Sequence, residues 1–130
     1  METKIVNPPE LQSHLVPAAD MSWQATDLSG IMMKILYSDQ EGRSTIMFKL
    51  EPGAVVPYHE HTALEQTYVL EGSLEDEEGA CTAGNFVWRP GGNRHVAHAP
   101  NGAVILSVFL KPNIFFEGAN RFFTEQIEQP

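Results

Sequence analysis

A single cysteine, Cys81, stands among 130 residues, so no disulfide can form within the chain. That scarcity fits a reducing compartment. No apolar run approaches the ~20 residues that a membrane helix needs. No basic-plus-apolar leader opens the sequence either, and the expectation is a soluble, cytoplasmic protein with no membrane partner. Basic residues are few: 8 Lys and Arg face 17 Asp and Glu, for a net charge of −9. Such a surface repels phosphate backbones, which argues against nucleic acid as a partner. Internal repeats, low-complexity linkers and long helical periodicity are missing too, which argues against solenoids and helical bundles. Glu71 and the run Glu75 to Glu78 concentrate part of the acidity. They lack the Asp-x-Asp-x-Asp-Gly spacing of a calcium loop, and the stretch reads as a solvated hairpin tip.

What is present suits one β domain. The length and a hydrophobic content of 42% allow a single core without cross-links, over residues 1–130 with its centre at about 23–111. Residues 1–20 carry prolines at 8, 9 and 17 and read as an extended arm, with a short strand expected at Lys4 to Asn7. From Gly30 onward the apolar residues alternate. Met33, Ile35 and Tyr37 oppose Met32, Lys34 and Leu36, and Ile46, Phe48 and Leu50 oppose Thr45, Met47 and Lys49. A period of two marks half-buried strands. Further strands are expected at Val55 to His61, Glu65 to Leu70, Ser73 to Glu75, Phe86 to Arg89, His95 to His98 and Ala103 to Leu110. Glu71 and Gly72 are expected to end the strand before them, and Pro57 suits an edge or a bulge. Phe115, Phe116, Phe122 and Phe123 form a Phe-rich C-terminal tail, with a short helix as one form for it. Many short strands between Gly/Pro turns predict an all-β double-stranded barrel of jelly-roll type, a double-stranded β-helix.

Two stretches carry chemistry. The first holds Gly53, His59, His61 and Glu65; the second holds Gly84, Pro90, Gly92 and His95. Residues i and i+2 of a strand face the same side, roughly 6–7 Å apart, so His59 and His61 can aim at one point. Glu65 opens the next strand, and Thr67 and Val69 share its inward face. His95 must arrive from another hairpin. Three imidazoles and a carboxylate form a good donor set for one divalent transition metal, and iron, manganese, nickel, copper and zinc all suit it. With open positions, such a metal can activate oxygen or a small substrate.

These spacings resemble the cupin superfamily. Its first motif reads glycine, five residues, His-x-His, three or four residues, Glu, six residues, glycine, and Gly53, His59, His61, Glu65 and Gly72 match every position. Its second reads glycine, five residues, Pro-x-Gly, two residues, His, three residues, Asn. Gly84, Pro90, Gly92 and His95 match, whereas Ala99 replaces the Asn. From Trp23 to Leu110 the chain is similar to the cupin domain of ChrR-type anti-sigma factors, a branch that includes stand-alone cupins resembling acetylacetone-cleaving and dihydroxyacetophenone dioxygenases. The resemblance implies His59, His61, Glu65 and His95 as metal ligands, with iron(II) favoured. It further implies a dioxygenase that cleaves a C–C bond in a small carbonyl compound, with O2 as co-substrate. Some diketone-cleaving members use histidines alone, so Glu65 sets this chain apart from them. Two alternatives remain: a non-enzymatic regulatory or sensor cupin, and an isomerase or lyase with a redox-silent metal. Anti-sigma members carry an N-terminal helical zinc-binding domain, whereas only about twenty irregular residues precede Trp23 here.

Other residues are assigned by face. Glu65 is a candidate base as well as a ligand. Arg94 is the candidate to orient a substrate carboxylate or enolate, against the plainer reading of an exposed loop arginine. Arg89 and Asn93 flank the same turn. His98, three beyond His95, falls on the opposite face, and His14 is a surface residue. Gln66, Tyr68 and Leu70 oppose Glu65 and serve packing or an interface, and Phe86 and Trp88 pack near the second motif. Cys81 lacks a cationic neighbour and reads as inert. Met32, Met33 and Met47, with the four tail phenylalanines, exceed what a small barrel needs to expose. A homodimer through the N-terminal arm or the Phe-rich tail is therefore expected.

Overall fold

The computed structural model describes residues 3–117. Two 3-10 turns, Pro9–Leu11 and Ala18–Asp20, interrupt an otherwise extended arm. Ten strands follow: β1 (Gln24–Ala25), β2 (Ile31–Ser38), β3 (Ser44–Leu50), β4 (Ala54–Glu60), β5 (Glu65–Asp76), β6 (Gly79–Thr82), β7 (Phe86–Arg89), β8 (Arg94–Ala99), β9 (Ala103–Phe109) and β10 (Ile114–Phe115). No α-helix and no strand at Lys4 to Asn7 occurs among the described residues. Ile5 and Val6 are adjacent and both exposed, so they form no period-two face that a sheet could bury. Phe122 and Phe123 lie outside the described residues.

Every strand pairing is antiparallel. One face of the fold runs β1-β2-β3-β9-β5-β7, and the other runs β10-β4-β8-β5-β6. β5 belongs to both. Its first half pairs with β9 and β7, and its last four residues pair with β6. The sheet therefore curls on itself, as the all-β double-stranded β-helix requires. Gly72 does not end the strand as expected but turns it. A register shift between Val69 and Glu71 and a φ of +73° at Gly72 carry the chain from one face to the other.

The core lies between the two faces. Ile46, Phe48, Val69, Ile105 and Phe109 are buried there, and Phe48 meets Phe109 edge-to-face at 6.2 Å. Met33 joins this core, so it is no part of an apolar surface surplus. β4 carries the bulge that Pro57 suggests: its register with β8 shifts between Val56 and His59. A proline has no N–H for the ladder, and the shift accommodates it.

Candidate metal centre

His59 and His61 follow the β4 bulge and point inward. The chain at His61 is held by the second-motif turn, since its N–H donates to Asn93 O at 2.8 Å and its carbonyl accepts from Gly92 N at 2.6 Å. β8 pairs directly with β4 here, with His95 opposite His59. Two hairpin segments are thus locked together with their imidazoles on one side. His59 Nε2 lies 3.1 Å from His95 Nε2, and His61 Nε2 lies 2.9 Å from His95 Nε2. The three residues form one cluster of convergent donors.

The backs of these rings fix their protons. His59 Nδ1–H donates to Pro57 O at 2.7 Å, and His95 Nδ1–H donates to Asp76 Oδ2 at 2.7 Å. In the neutral tautomers so fixed, both Nε2 atoms carry lone pairs that face each other. Burial lowers the pKa of His59 to about 4 and of His61 to about 2, with the other imidazoles and Arg89 adding to the effect for His61. Burial and Arg89 lower His95 as well, against the pull of Asp76. Neutral imidazole nitrogens converging in this way can hold a cation between them. Donors on a metal with bonds of about 2.1 Å stand about 3.0 Å apart at right angles and about 3.4 Å apart in a tetrahedron. Both separations, with all three donors in one cluster, are short enough for the imidazoles to share a single ion.

Glu65 stands outside this nitrogen cluster. Its Oε1 is 3.1 Å from His61 Nδ1, on the far side of the ring from the convergence point, and 3.8 Å from Arg89 Nε. The approach to His61 is out of line for a hydrogen bond, which leaves that buried Nδ1 without a partner. Burial pushes the Glu65 carboxyl up to about 7, and the Arg89 charge offsets only part of the effect.

Asp76 is the residue that sequence reasoning missed. It falls inside the acidic run taken for a solvated tip, yet its side chain is buried, accepting from His95 and from Arg89 Nη1 at 3.0 Å. Burial alone would raise its pKa, but the hydrogen bond from His95 and the Arg89 charge hold the carboxyl below its ordinary value. Glu65 and Asp76 are the two ends of β5, and Arg89 reaches both because the strand turns at Gly72. Phe115 of β10 is a second omission. It pairs with His59 and stacks on its ring at 5.0 Å, so it belongs to the site and not to a tail.

The remaining candidates take other places. Arg94 Nε pairs with Glu60 Oε1 at 2.8 Å on the outside. With Tyr58 and Val96 it lines a hollow of about 230 Å³ that reaches His95. His98 is exposed, away from His95, and Phe86 and Trp88 lie on the outer face. Burial pushes the Cys81 thiol up, consistent with an inert cysteine. Inside, the donors open onto a cavity of about 40 Å³ lined by Val56, Ile105, Phe109 and Phe115 and by a buried Thr67–Ser107 pair, 2.8 Å apart.

Residues 11–113 match the ChrR cupin-like domain family, and the chain belongs to that family. No curated protein matches it significantly. Among solved structures it is similar to an acetylacetone dioxygenase from Acinetobacter johnsonii, at 17% identity and a TM-score of 0.77, covering 97% of each chain. It is similar to a protein with a cupin-like fold from Ralstonia eutropha, at 24% identity and a TM-score of 0.63, covering 67% of this chain and 59% of that one. It is also similar to a chain of the Rhodobacter sphaeroides complex of SigE with the anti-sigma ChrR, at 25% identity and a TM-score of 0.62, covering 70% of this chain and 49% of that one. This chain thus spans about half to three fifths of the length of the last two. No helix among the described residues is long and apolar enough to cross a membrane.

Proposed function

We propose that this member of the ChrR cupin-like family is a metal-dependent dioxygenase cleaving a C–C bond in a small carbonyl compound of β-diketone or hydroxyketone type. The observation that carries the reading is the donor set itself: three imidazole Nε2 atoms converge while Glu65 stands behind His61. The residues that would hold the metal, iron(II) by preference, are His59, His61 and His95. When bound, such an ion supplies Lewis-acid polarisation of a carbonyl and a binding position for O2.

The chain's own groups do the rest. Val56, Ile105, Phe109 and Phe115 give the inner cavity an apolar wall that disfavours water; at about 40 Å³ it has to widen before it takes the hydrocarbon part of a substrate. Glu65, with a carboxyl near pKa 7, is matched to take a proton from the carbon between two carbonyls at neutral pH. Asp76 and Pro57 O hold the His95 and His59 rings in the tautomer that presents Nε2 inward. Arg94 lies outside this cavity, paired with Glu60 and lining the separate hollow that reaches His95, and from there it would draw an incoming enolate or carboxylate toward the site. The acetylacetone dioxygenase among the similar structures supports this substrate class as the first to test.

The test is oxygen consumption by iron-loaded protein offered β-diketones and hydroxyketones. Uptake that disappears in His61→Ala is the expected result. No uptake with any of them, or full activity in that variant, overturns the reading. The similarity to a chain of the SigE–ChrR complex favours a second reading, a regulatory metal-binding cupin. Protein that binds metal stoichiometrically, consumes no oxygen and captures a transcription factor would support that alternative.

A further inference from the structure

β5 pairs with β7 along its first half and with β6 along its last four residues. The turn at Gly72 sends those halves to different faces, and no ladder joins β6 to β7 among the described residues. The interior of the sandwich is therefore open along that side. Directly opposed residues share a face. Val87 and Arg89 oppose Thr67 and Glu65, and Cys81 opposes Leu74. Thr67, Glu65 and Leu74 are buried inside, so Val87, Arg89 and Cys81 point inward with them. Between these side chains lies a cleft of about 510 Å³ that opens to solvent.

The cleft adjoins the metal centre. Leu74 and Arg89 line both the cleft and the cavity of about 40 Å³ at the donors, so these two side chains are the partition between them. Asp76 is fixed from every side. Its Oδ1 accepts from the N–H groups of Glu78 at 2.8 Å and Gly79 at 3.2 Å, and its Oδ2 accepts from His95 and Arg89. Arg89 meets Asp76 at 3.0 Å but Glu65 only at 3.8 Å, so its long side chain is the part of the partition that can shift. Asn93 also lines the cleft, and its Oδ1 is buried without a hydrogen-bond partner. A buried amide oxygen left in this way costs stability until a donor reaches it.

We propose that the cleft between β6 and β7 holds the distal part of the substrate, an uncharged chain ending in a hydroxyl that binds the Asn93 amide, while the carbonyl end passes Leu74 and Arg89 to the metal centre. The proposal rests on the dioxygenase reading above and names the substrate more closely. Size favours it. A cavity of about 40 Å³ holds little more than a water, whereas one of about 510 Å³ falls in the range of small-molecule sites. Charge decides the nature of the tail. Asp76 and Glu78 line the cleft against the single cation Arg89, so an anionic tail is repelled. A hydroxyl both donates and accepts, and it satisfies Asn93 whichever way the amide is turned. Leu74 and Val87 supply apolar wall for the methylenes between the two ends.

The probes are acetylacetone and acetylacetone lengthened at one end by a propyl or a hydroxypropyl chain, titrated calorimetrically into iron(II)-loaded full chain under argon. The propyl chain is expected to tighten binding roughly tenfold or more, and its hydroxyl roughly tenfold again. Asn93→Ala should abolish the gain from the hydroxyl and keep the gain from the propyl chain. Val87→Trp fills the cleft and should abolish both gains while acetylacetone keeps its affinity; circular dichroism verifies the fold of each variant. Cys81, the only cysteine, lines the cleft and reports its occupancy. Its alkylation by a maleimide should slow with either lengthened probe and not with acetylacetone. Lengthened probes that bind no tighter than acetylacetone, or that bind tighter and leave Cys81 as reactive as before, overturn the proposal. Acetylacetone binding with neither lengthened probe shielding Cys81 sinks the cleft and leaves the proposed reaction standing. Shielding of Cys81 with no oxygen consumed from any probe in air does the reverse.

Discussion

Replacing Gly72 with alanine strikes the point on which the site geometry turns. Gly72 has a φ of +73°, and a Cβ there would stand 2.0 Å from Gly102 O, 2.8 Å from Gly102 C and 2.9 Å from Ala103 Cα. All three atoms are backbone of the adjoining turn and strand, so no rotamer change relieves the overlap. The left-handed conformation costs an alanine about 1–2 kcal/mol, and overpacking adds typically 1–3 kcal/mol. The sum, about 2–5 kcal/mol, is a large part of the roughly 5–15 kcal/mol that holds a domain folded. Gly53 is the built-in control. Its φ is +86°, but a Cβ there would meet nothing within 4 Å, so Gly53→Ala carries only the conformational cost of about 1–2 kcal/mol. Urea unfolding of the two variants beside wild type measures the difference. Because the turn at Gly72 decides where Asp76 lands, metal affinity should fall along with stability in Gly72→Ala alone. Equal stability losses in the two variants would refute the reasoning.

Asp76→Asn keeps the shape of the side chain but removes the charge behind His95. Metal affinity should drop roughly 10–100-fold in a chelator competition, and an unchanged affinity would show that the ring needs no carboxylate. Glu65→Gln should stabilise the metal-free protein at alkaline pH. The folded carboxyl has a pKa of about 7 against 4.5 unperturbed, so its contribution is intact below pH ~4.5 and is lost as pH rises through about 7. The variant should gain on the order of 2–3 kcal/mol over wild type by pH 8. His59 and His61, whose folded pKa values are depressed, lose stability in the opposite direction, as pH falls below about 6.5, and that loss cancels in the comparison. A difference between the two proteins that stays constant from pH 5 to 8, in denaturant melts, would reject the assignment. Asp39→Asn should flatten an acid limb. Desolvation would raise the Asp39 carboxyl, but Arg43, Tyr37 and the backbone N–H groups of Arg43 and Glu41 together lower it to about 2. Its support is present above pH ~4 and lost as pH falls toward 2, so thermal melts of variant and wild type should converge there.

Much of this fold is legible in the chain because alternation is local. Ile46, Phe48 and Leu50 declare a buried face by themselves, and Pro57 and the two glycine frames mark where the backbone must bend. His59, His61 and His95 are legible for the same reason, since two share a strand face and the third follows a fixed turn. Asp76 was not legible. Its neighbours Glu75, Glu77 and Glu78 make it look like one more solvated charge, and only the closure of the sheet brings it to Arg89. β10 was hidden too, because two residues are too short for a period and Phe115 gains its partner from the distant β4. Met33 shows the converse error: one apolar residue among several in a row gives no sign of which face it takes until the strand is paired.

Charge balance explains why the retreat of Glu65 matters. Within the site, Arg89 and ionised Asp76 cancel each other, and burial pushes the Glu65 carboxyl up to about 7, which favours its neutral form. A divalent ion among three neutral imidazoles would add two positive charges to a buried, mostly apolar space, where uncompensated charge is expensive. Glu78 acts on His95 from the rim; inside the cavity, negative charge can come from ionisation of Glu65, which the ion itself would promote, and from a ligand that arrives as an anion. A neutral carbonyl compound with no acidic proton supplies nothing toward the balance, whereas one that ionises to an enolate supplies one charge and two oxygen donors together. The preference for acidic dicarbonyls over simple ketones should therefore follow from electrostatics even before the cavity wall selects for size. It should sharpen in Asp76→Asn, where Arg89 loses one of its two carboxylate neighbours and the site gains net positive charge.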